Sequence, residues 1–147
     1  MVFARPPLSL KGRALRLLSQ REHSRSELER KLAAHEEEPG TLARALDELQ
    51  ARGFISEERV VESVMHRRAS KLGTARIQQE LAAKGVSSES MSEALAQLRS
   101  TELERAREVW SRKFDAPASD PKERARQIRF LLSRGFAAEV VRQVTSR

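Results

Sequence analysis

Residues 42–49 read Leu-Ala-Arg-Ala-Leu-Asp-Glu-Leu, and residues 91–98 read Met-Ser-Glu-Ala-Leu-Ala-Gln-Leu. In both, large apolar side chains fall at i, i+4 and i+7 with an alanine at i+3, the face of an amphipathic α-helix. The two stretches lie 49 residues apart, and Leu28 and Leu32 precede Ile77 and Leu81 by the same offset. A third copy follows. Val140 and Val144 come 49 residues after Met91 and Leu95, whereas Ile128 and Leu132 come 51 after Ile77 and Leu81. That mismatch predicts a connection two residues shorter between the last two helices of the third unit. A chain repeating at this period is a tandem array, whose units bury their apolar faces on one another.

The punctuation between stripes is helical. Leu10, Ala14, Leu17 and Leu18 form a first stripe, and Ser24-Arg25-Ser26-Glu27 reads as a capping box opening a helix with Leu28 and Leu32 inward and Glu27, Arg30 and Lys31 outward. Pro39-Gly40 breaks the chain before residues 42–49, and Gly53-Phe54 reads as a left-handed glycine stop with the phenylalanine folding back. In the second unit Ser56-Glu57-Glu58 opens a helix with Val61, Val64 and Met65 inside. Gly73-Thr74 then precedes a short helix bearing Ile77 and Leu81, and Lys84-Gly85-Val86 stops it before Ser87-Ser88-Glu89. The third unit is expected to open at Ser100-Thr101, with Leu103, Ala106, Trp110 and Phe114 on one face. Asp120-Pro121 starts its next helix, with Ala125, Ile128 and Leu132 inside, before Arg134-Gly135-Phe136 and the Val140, Val141, Val144 stripe. The expectation is an all-α, elongated array of three tandem three-helix repeats. Residues 1–55 form a basic extension with the first repeat, 56–99 the second and 100–147 the third.

Composition narrows the function. The absence of cysteine removes disulfides and thiolate chemistry. Arg5, Lys11, Arg13 and Arg16 interrupt the N-terminal apolar residues, so no signal sequence is expected, and a cytoplasmic location follows. No nucleophile–base pair, phosphate loop or metal-ligand spacing stands out. His23, His35 and His66 are scattered, Glu36-Glu37-Glu38 reads as a solvated run, and neither an enzyme nor a cofactor is expected. The net charge is +7, divided as +2, +1 and +4 among the three units, which points to an acidic partner. Candidate contacts are Arg21, Arg25 and Lys31 around the first capping box; Arg67, Arg68 and Lys71 at a helix end with Arg76 beyond; and the Lys122, Arg126, Arg129 stripe at i, i+4, i+7. The rival role for such residues is solubilising helix faces through i,i+4 pairs such as Arg76–Glu80–Lys84. With 5 Phe, 1 Trp and no Tyr, and with Phe54 and Phe136 packing helix caps, few rings remain to stack exposed bases.

Several of these segments resemble the signatures of the RecX family. They are Arg21-Glu22-His23-Ser24-Arg25-Ser26-Glu27-Leu28 with Lys31-Leu32, and Leu49-Gln50-Ala51-Arg52-Gly53-Phe54-Ile55 with Glu57-Glu58-Arg59. Gly73-Thr74-Ala75-Arg76-Ile77 with Glu80-Leu81 and Lys84-Gly85-Val86 is similar to the third signature. Lys113-Phe114 with Arg129-Phe130-Leu131 and Arg134-Gly135-Phe136 is similar to the last. The chain departs from the family pattern at His35-Glu36-Glu37-Glu38, at Ser56-Glu57 and Val60-Val61, and at Ala75, where proline is common. The resemblance implies a monomeric bacterial regulator that binds the RecA–DNA filament, with weak direct DNA contact, and inhibits strand exchange, ATP hydrolysis and co-protease activity. A stand-alone DNA-binding protein of helix-turn-helix-like units is the alternative.

Overall fold

A computed structural model describes residues 7–146, and Arg5 lies outside them. Among the described residues the fold is all-helical, and no strand occurs. The helices are α1 (Leu10–Gln20), α2 (Arg25–Leu32) with a 3-10 turn at Ala33–His35, α3 (Thr41–Ala51), α4 (Glu57–Arg68), α5 (Thr74–Ala83), α6 (Ser88–Lys113), α7 (Pro121–Ser133) and α8 (Ala138–Thr145). Two compact units divide at Val60 and Val61, inside α4.

In the first unit α1, α2 and α3 pack on one another around Ala14, Leu28, Leu32, Leu42, Leu46, Leu49 and Ile55. The capping box forms as the sequence suggests: Ser24 Oγ accepts from Glu27 N–H, and a Glu27 carboxylate oxygen accepts from Ser24 N–H, both at 3.1 Å. Glu27 is therefore buried rather than outward, and Arg21 donates to its other oxygen at 2.7 Å. Gly53 takes the left-handed conformation at φ +83° and Phe54 N–H closes the stop on Leu49 O. The Phe54 ring does not fold back. It stays 42% exposed under the Arg52 guanidinium, and Ile55 fills the core. Gly40, the residue before α3, has no side chain to cap that helix, and Glu36 does so by accepting from Leu42 N–H at 2.8 Å. Glu36 thus has a structural task that a solvated run would not give it.

In the second unit α6 packs against α5, α7 and α8, and α7 against α8. α6 is unbroken over 26 residues, so the helix opening expected at Ser100-Thr101 does not occur. The hydroxyls of Ser100 and Thr101 bond back to Gln97 O instead of capping a new start. The face of α6 turned inward carries Glu102, Ala106 and Val109, while Leu103 and Trp110 are only half-buried.

The third-unit register also differs from expectation. Val141 is buried as expected, but in α7 the buried leucine is Leu131, whereas Leu132 is 45% exposed and Ala125, Ile128, Val140 and Val144 are only partly covered. The remaining core positions are polar: Gln127 and Thr145. Gln127 is satisfied by Trp110 Nε1–H at 3.0 Å and by Ala116 O at 3.2 Å, and Thr145 Oγ1 donates to Val141 O at 2.8 Å. Counted from these residues, Ile77, Leu81, Gly85, Val86, Met91 and Leu95 all recur at a uniform offset of 50. The predicted contraction of the connection disappears.

Candidate nucleic-acid interface

The candidate cations divide sharply by what their charged ends touch. Arg21 donates to Glu27 and to Glu22 O. Arg25 reaches Asp47 at 2.7 Å, Glu29 at 3.1 Å and Gln50 at 2.9 Å. Partial burial pulls Arg25 down, but these carboxylates outweigh it and raise its pKa. Lys31 Nζ donates to His23 Nε2 at 2.9 Å. All three are engaged in holding α2 in place. On α7, Lys122, Arg126 and Arg129 are exposed; Arg126 pairs with Glu123 at 3.1 Å and lies 5.3 Å from the Phe114 ring centre.

His23 stands at the start of α2, immediately before its N-cap Ser24. It is 1% exposed, and since Arg21 O can only accept, Nδ1 carries the proton and donates to it at 3.1 Å, leaving Nε2 to accept from Lys31. Burial, with the Arg21 and Lys31 charges adding to it, holds its pKa below the ordinary 6.5 against the pull of Arg21 O and Glu27. Below pH 6.5 the unfolded chain takes up a proton that the folded chain refuses, so stability is complete above 6.5 and falls as pH drops beneath it. Urea denaturation followed by circular dichroism at pH 7.5 and pH 5.5 should show this loss, and His23→Gln should reduce it. An equal loss in the variant would remove His23 as the cause.

A different set of cations converges. A cleft of about 690 Å³ in the second unit is lined by Arg68, Lys71, Arg76, Arg112, Lys113 and Arg134, with Glu80 as its one carboxylate and Leu72, Val109 and Phe130 beneath. The fold makes this cluster by bringing the C-terminal ends of α4, α6 and α7 together beside α5, which carries Arg76 and Glu80. Helix C-termini carry partial negative charge and unpaired carbonyls, which favour cations there. Arg76 donates to Ser133 O at 2.7 Å, and Arg112 donates to Ser70 O. Lys113 Nζ and the Arg134 guanidinium lie 5.4 and 4.8 Å from the Phe130 ring centre. Phe130, held edge-on by Phe114 at 5.5 Å, thus organises two cations rather than offering a stacking face.

The cleft is fixed by contacts between turns. Gly73 N–H donates to Arg134 O at 2.8 Å, and the backbones meet so closely that a Cβ on Gly73 would lie 2.3 Å from Gly135 C and O. Beneath them Glu102, 5% exposed, accepts Thr74 N–H at 2.7 Å and Ala137 N–H at 3.2 Å. Arg105 lies beside it and donates to Ala69 O, Leu72 O, Leu98 O and Thr74 Oγ1; its burial lowers its pKa, with Glu102 opposing. Of the candidates, the structure therefore brings together Arg68, Lys71 and Arg76, with Arg67 at their edge 3.8 Å from Glu80. Arg112, Lys113 and Arg134 join them unforeseen; the available signal was their place at helix ends.

Such a concave patch focuses positive potential onto phosphate or carboxylate groups. Its lining holds no Asn or Gln, so the amide readout of adenine edges is absent there. No group of three or more metal-ligating side chains occurs among the described residues, and no described helix is long and apolar enough to cross a membrane.

Comparison with known proteins agrees with this architecture. Residues 11–49, 56–95 and 100–145 match family models described as the first, second and third three-helix domains of RecX. "Regulatory protein RecX" of Leptothrix cholodnii is 60% identical over 144 residues, covering 98% of this chain and 92% of that protein. The protein of that name from Ralstonia nicotianae is 48% identical, covering 98% and 91%. Among solved structures, RecX from Lactobacillus salivarius superimposes with a TM-score of 0.76 at 18% identity, covering 92% of this chain and 91% of that one.

Proposed function

The chain belongs to the RecX family, and from that premise we propose that it is a negative regulator of the RecA recombinase, binding the RecA–DNA filament and lowering its ATPase, strand-exchange and co-protease activities. The observation that carries the reading on this chain is the cleft of the second unit, where six cations face one carboxylate. A partner with a polyanionic backbone fits that balance. Regulation then follows from differential binding: a protein that prefers filament states unable to extend or exchange strands shifts the population toward them without chemistry of its own. The protein acts as a cytoplasmic monomer, needs no cofactor and hydrolyses no nucleotide.

Titrating the protein into its cognate recombinase on single-stranded DNA should lower the rate of ATP hydrolysis in a saturable manner. An unchanged rate at saturation would overturn the regulator reading. Tight binding to bare duplex, unaffected by recombinase, would favour the helix-turn-helix-like alternative instead.

A further inference from the structure

Glu80 is out of keeping with its surroundings. It projects from α5 into a cleft whose other charged side chains are all cations, its side chain one-quarter exposed. Arg68 Nε donates to its Oε1 at 3.1 Å, and Arg67 Nη2 stands 3.8 Å from its Oε2. The neighbouring arginines are held differently. Arg76 and Arg112 donate to the carbonyls of Ser133 and Ser70, neutral acceptors that orient a guanidinium without cancelling its charge. Glu80 does both. A carboxylate and a phosphate present the same kind of oxygen to a guanidinium, so the donors Glu80 holds are donors a phosphate would take.

We infer that Glu80 is an intramolecular competitor for the phosphate groups that enter this cleft, setting affinity for a nucleic-acid backbone below what the six cations alone would give. The inference rests on the reading that the cleft takes nucleic-acid phosphates. Entry of the strand is then partly an exchange, in which Arg68 and Arg67 turn from Glu80 to a phosphate oxygen. A ligand poor in charge cannot complete that exchange, so Glu80 also discriminates for polyanions. The competing account is a plain tether of the end of α4 to α5. The two separate on one property: a tether needs an acceptor, whereas a competitor needs the negative charge.

Glu80→Gln keeps an oxygen for Arg68 and removes only the charge. Binding of the full-length chain to a fluorescein-labelled homothymidine single strand, read by anisotropy across a salt series, should tighten about two- to fivefold in Glu80→Gln. The log–log salt slope should steepen by about one unit, because one more phosphate contact forms. Glu80→Asp should bind as the wild type does. Should Glu80→Gln melt early, Glu80→Asn read against Glu80→Asp makes the same comparison at equal side-chain length. Suppose instead that the wild type binds, Lys113→Gln weakens it, and yet the uncharged variants neither tighten nor steepen: Glu80 is then only a tether, and the phosphate reading stands. No salt-dependent binding by the wild type, or no effect of Lys113→Gln, would overturn the phosphate reading itself and this inference with it.

Discussion

Gly73→Ala should lower the unfolding free energy of the second unit by about 3 kcal/mol, toward the upper end of what overpacking costs. The added Cβ would lie 2.3 Å from the carbonyl carbon and oxygen of Gly135 and 2.4 Å from Phe136 N. These are backbone atoms, so no side-chain rotation relieves the overlap. Nor can the turns separate cheaply, because Gly73 N–H is bonded to Arg134 O and Glu102 holds Thr74 and Ala137 by their amides. Gly40→Ala supplies the control. Gly40 has φ +88° with nothing within 4 Å of its would-be Cβ, so only the left-handed backbone penalises alanine, by about 1 kcal/mol. Urea unfolding of both variants measures the difference; for Gly73→Ala it can be followed by Trp110 fluorescence, since the only tryptophan lies in the second unit. If Gly73→Ala costs no more than Gly40→Ala, the close approach of the two turns is not part of the native state. The variant should also disorder the cleft, since Arg76 and Arg134 are placed by the same turns.

What could be read in advance was local. The capping box at Ser24 and the left-handed glycines at Gly53, Gly85 and Gly135 depend on residues within one turn of chain and all form, whereas the packing of the Phe54 ring does not. In the third unit Ala106, Phe114 and Val141 are buried as expected, but along α7 and at the end of α8 apolarity alone places the interior one position off. Gln127 and Thr145 occupy core positions through hydrogen bonds that only the folded chain supplies, while the apolar neighbours Ile128 and Val144 mimic the stripe. The unbroken α6 escapes a sequence reading for a related reason: Ser100 and Thr101 look like caps, but hydroxyls inside a helix can bond back to the preceding turn. The site was half legible. Arg68, Lys71 and Arg76 stood out as basic clusters in sequence, whereas Arg112, Lys113 and Arg134 acquire meaning only when three helix ends meet. In the first unit the reverse holds, for Arg21, Arg25 and Lys31 look like contacts and are engaged with Glu27, Asp47 and His23.

That redistribution yields the prediction with the largest effect on function. Lys71→Gln combined with Lys113→Gln should weaken filament binding at least tenfold at low salt and flatten the log–log salt slope by about two units. These two cations are chosen because Arg76 and Arg112 also donate to backbone carbonyls, so removing them would confuse binding with folding. Losing Lys113 removes its contact with Phe130, which is worth about 0.5–1 kcal/mol at an exposed site, and the melting temperature should move little. The matched comparison is Lys122→Gln with Arg129→Gln on the exposed face of α7, away from the cleft lining. Both double variants remove two positive charges, so a general effect of net charge would weaken them equally. A cleft-specific interface predicts a loss confined to the first pair, with the second within about threefold of wild type, as expected for solvent-exposed charges. Equal losses would return the interaction to diffuse electrostatics, and a larger loss in the α7 pair would move the interface onto that helix.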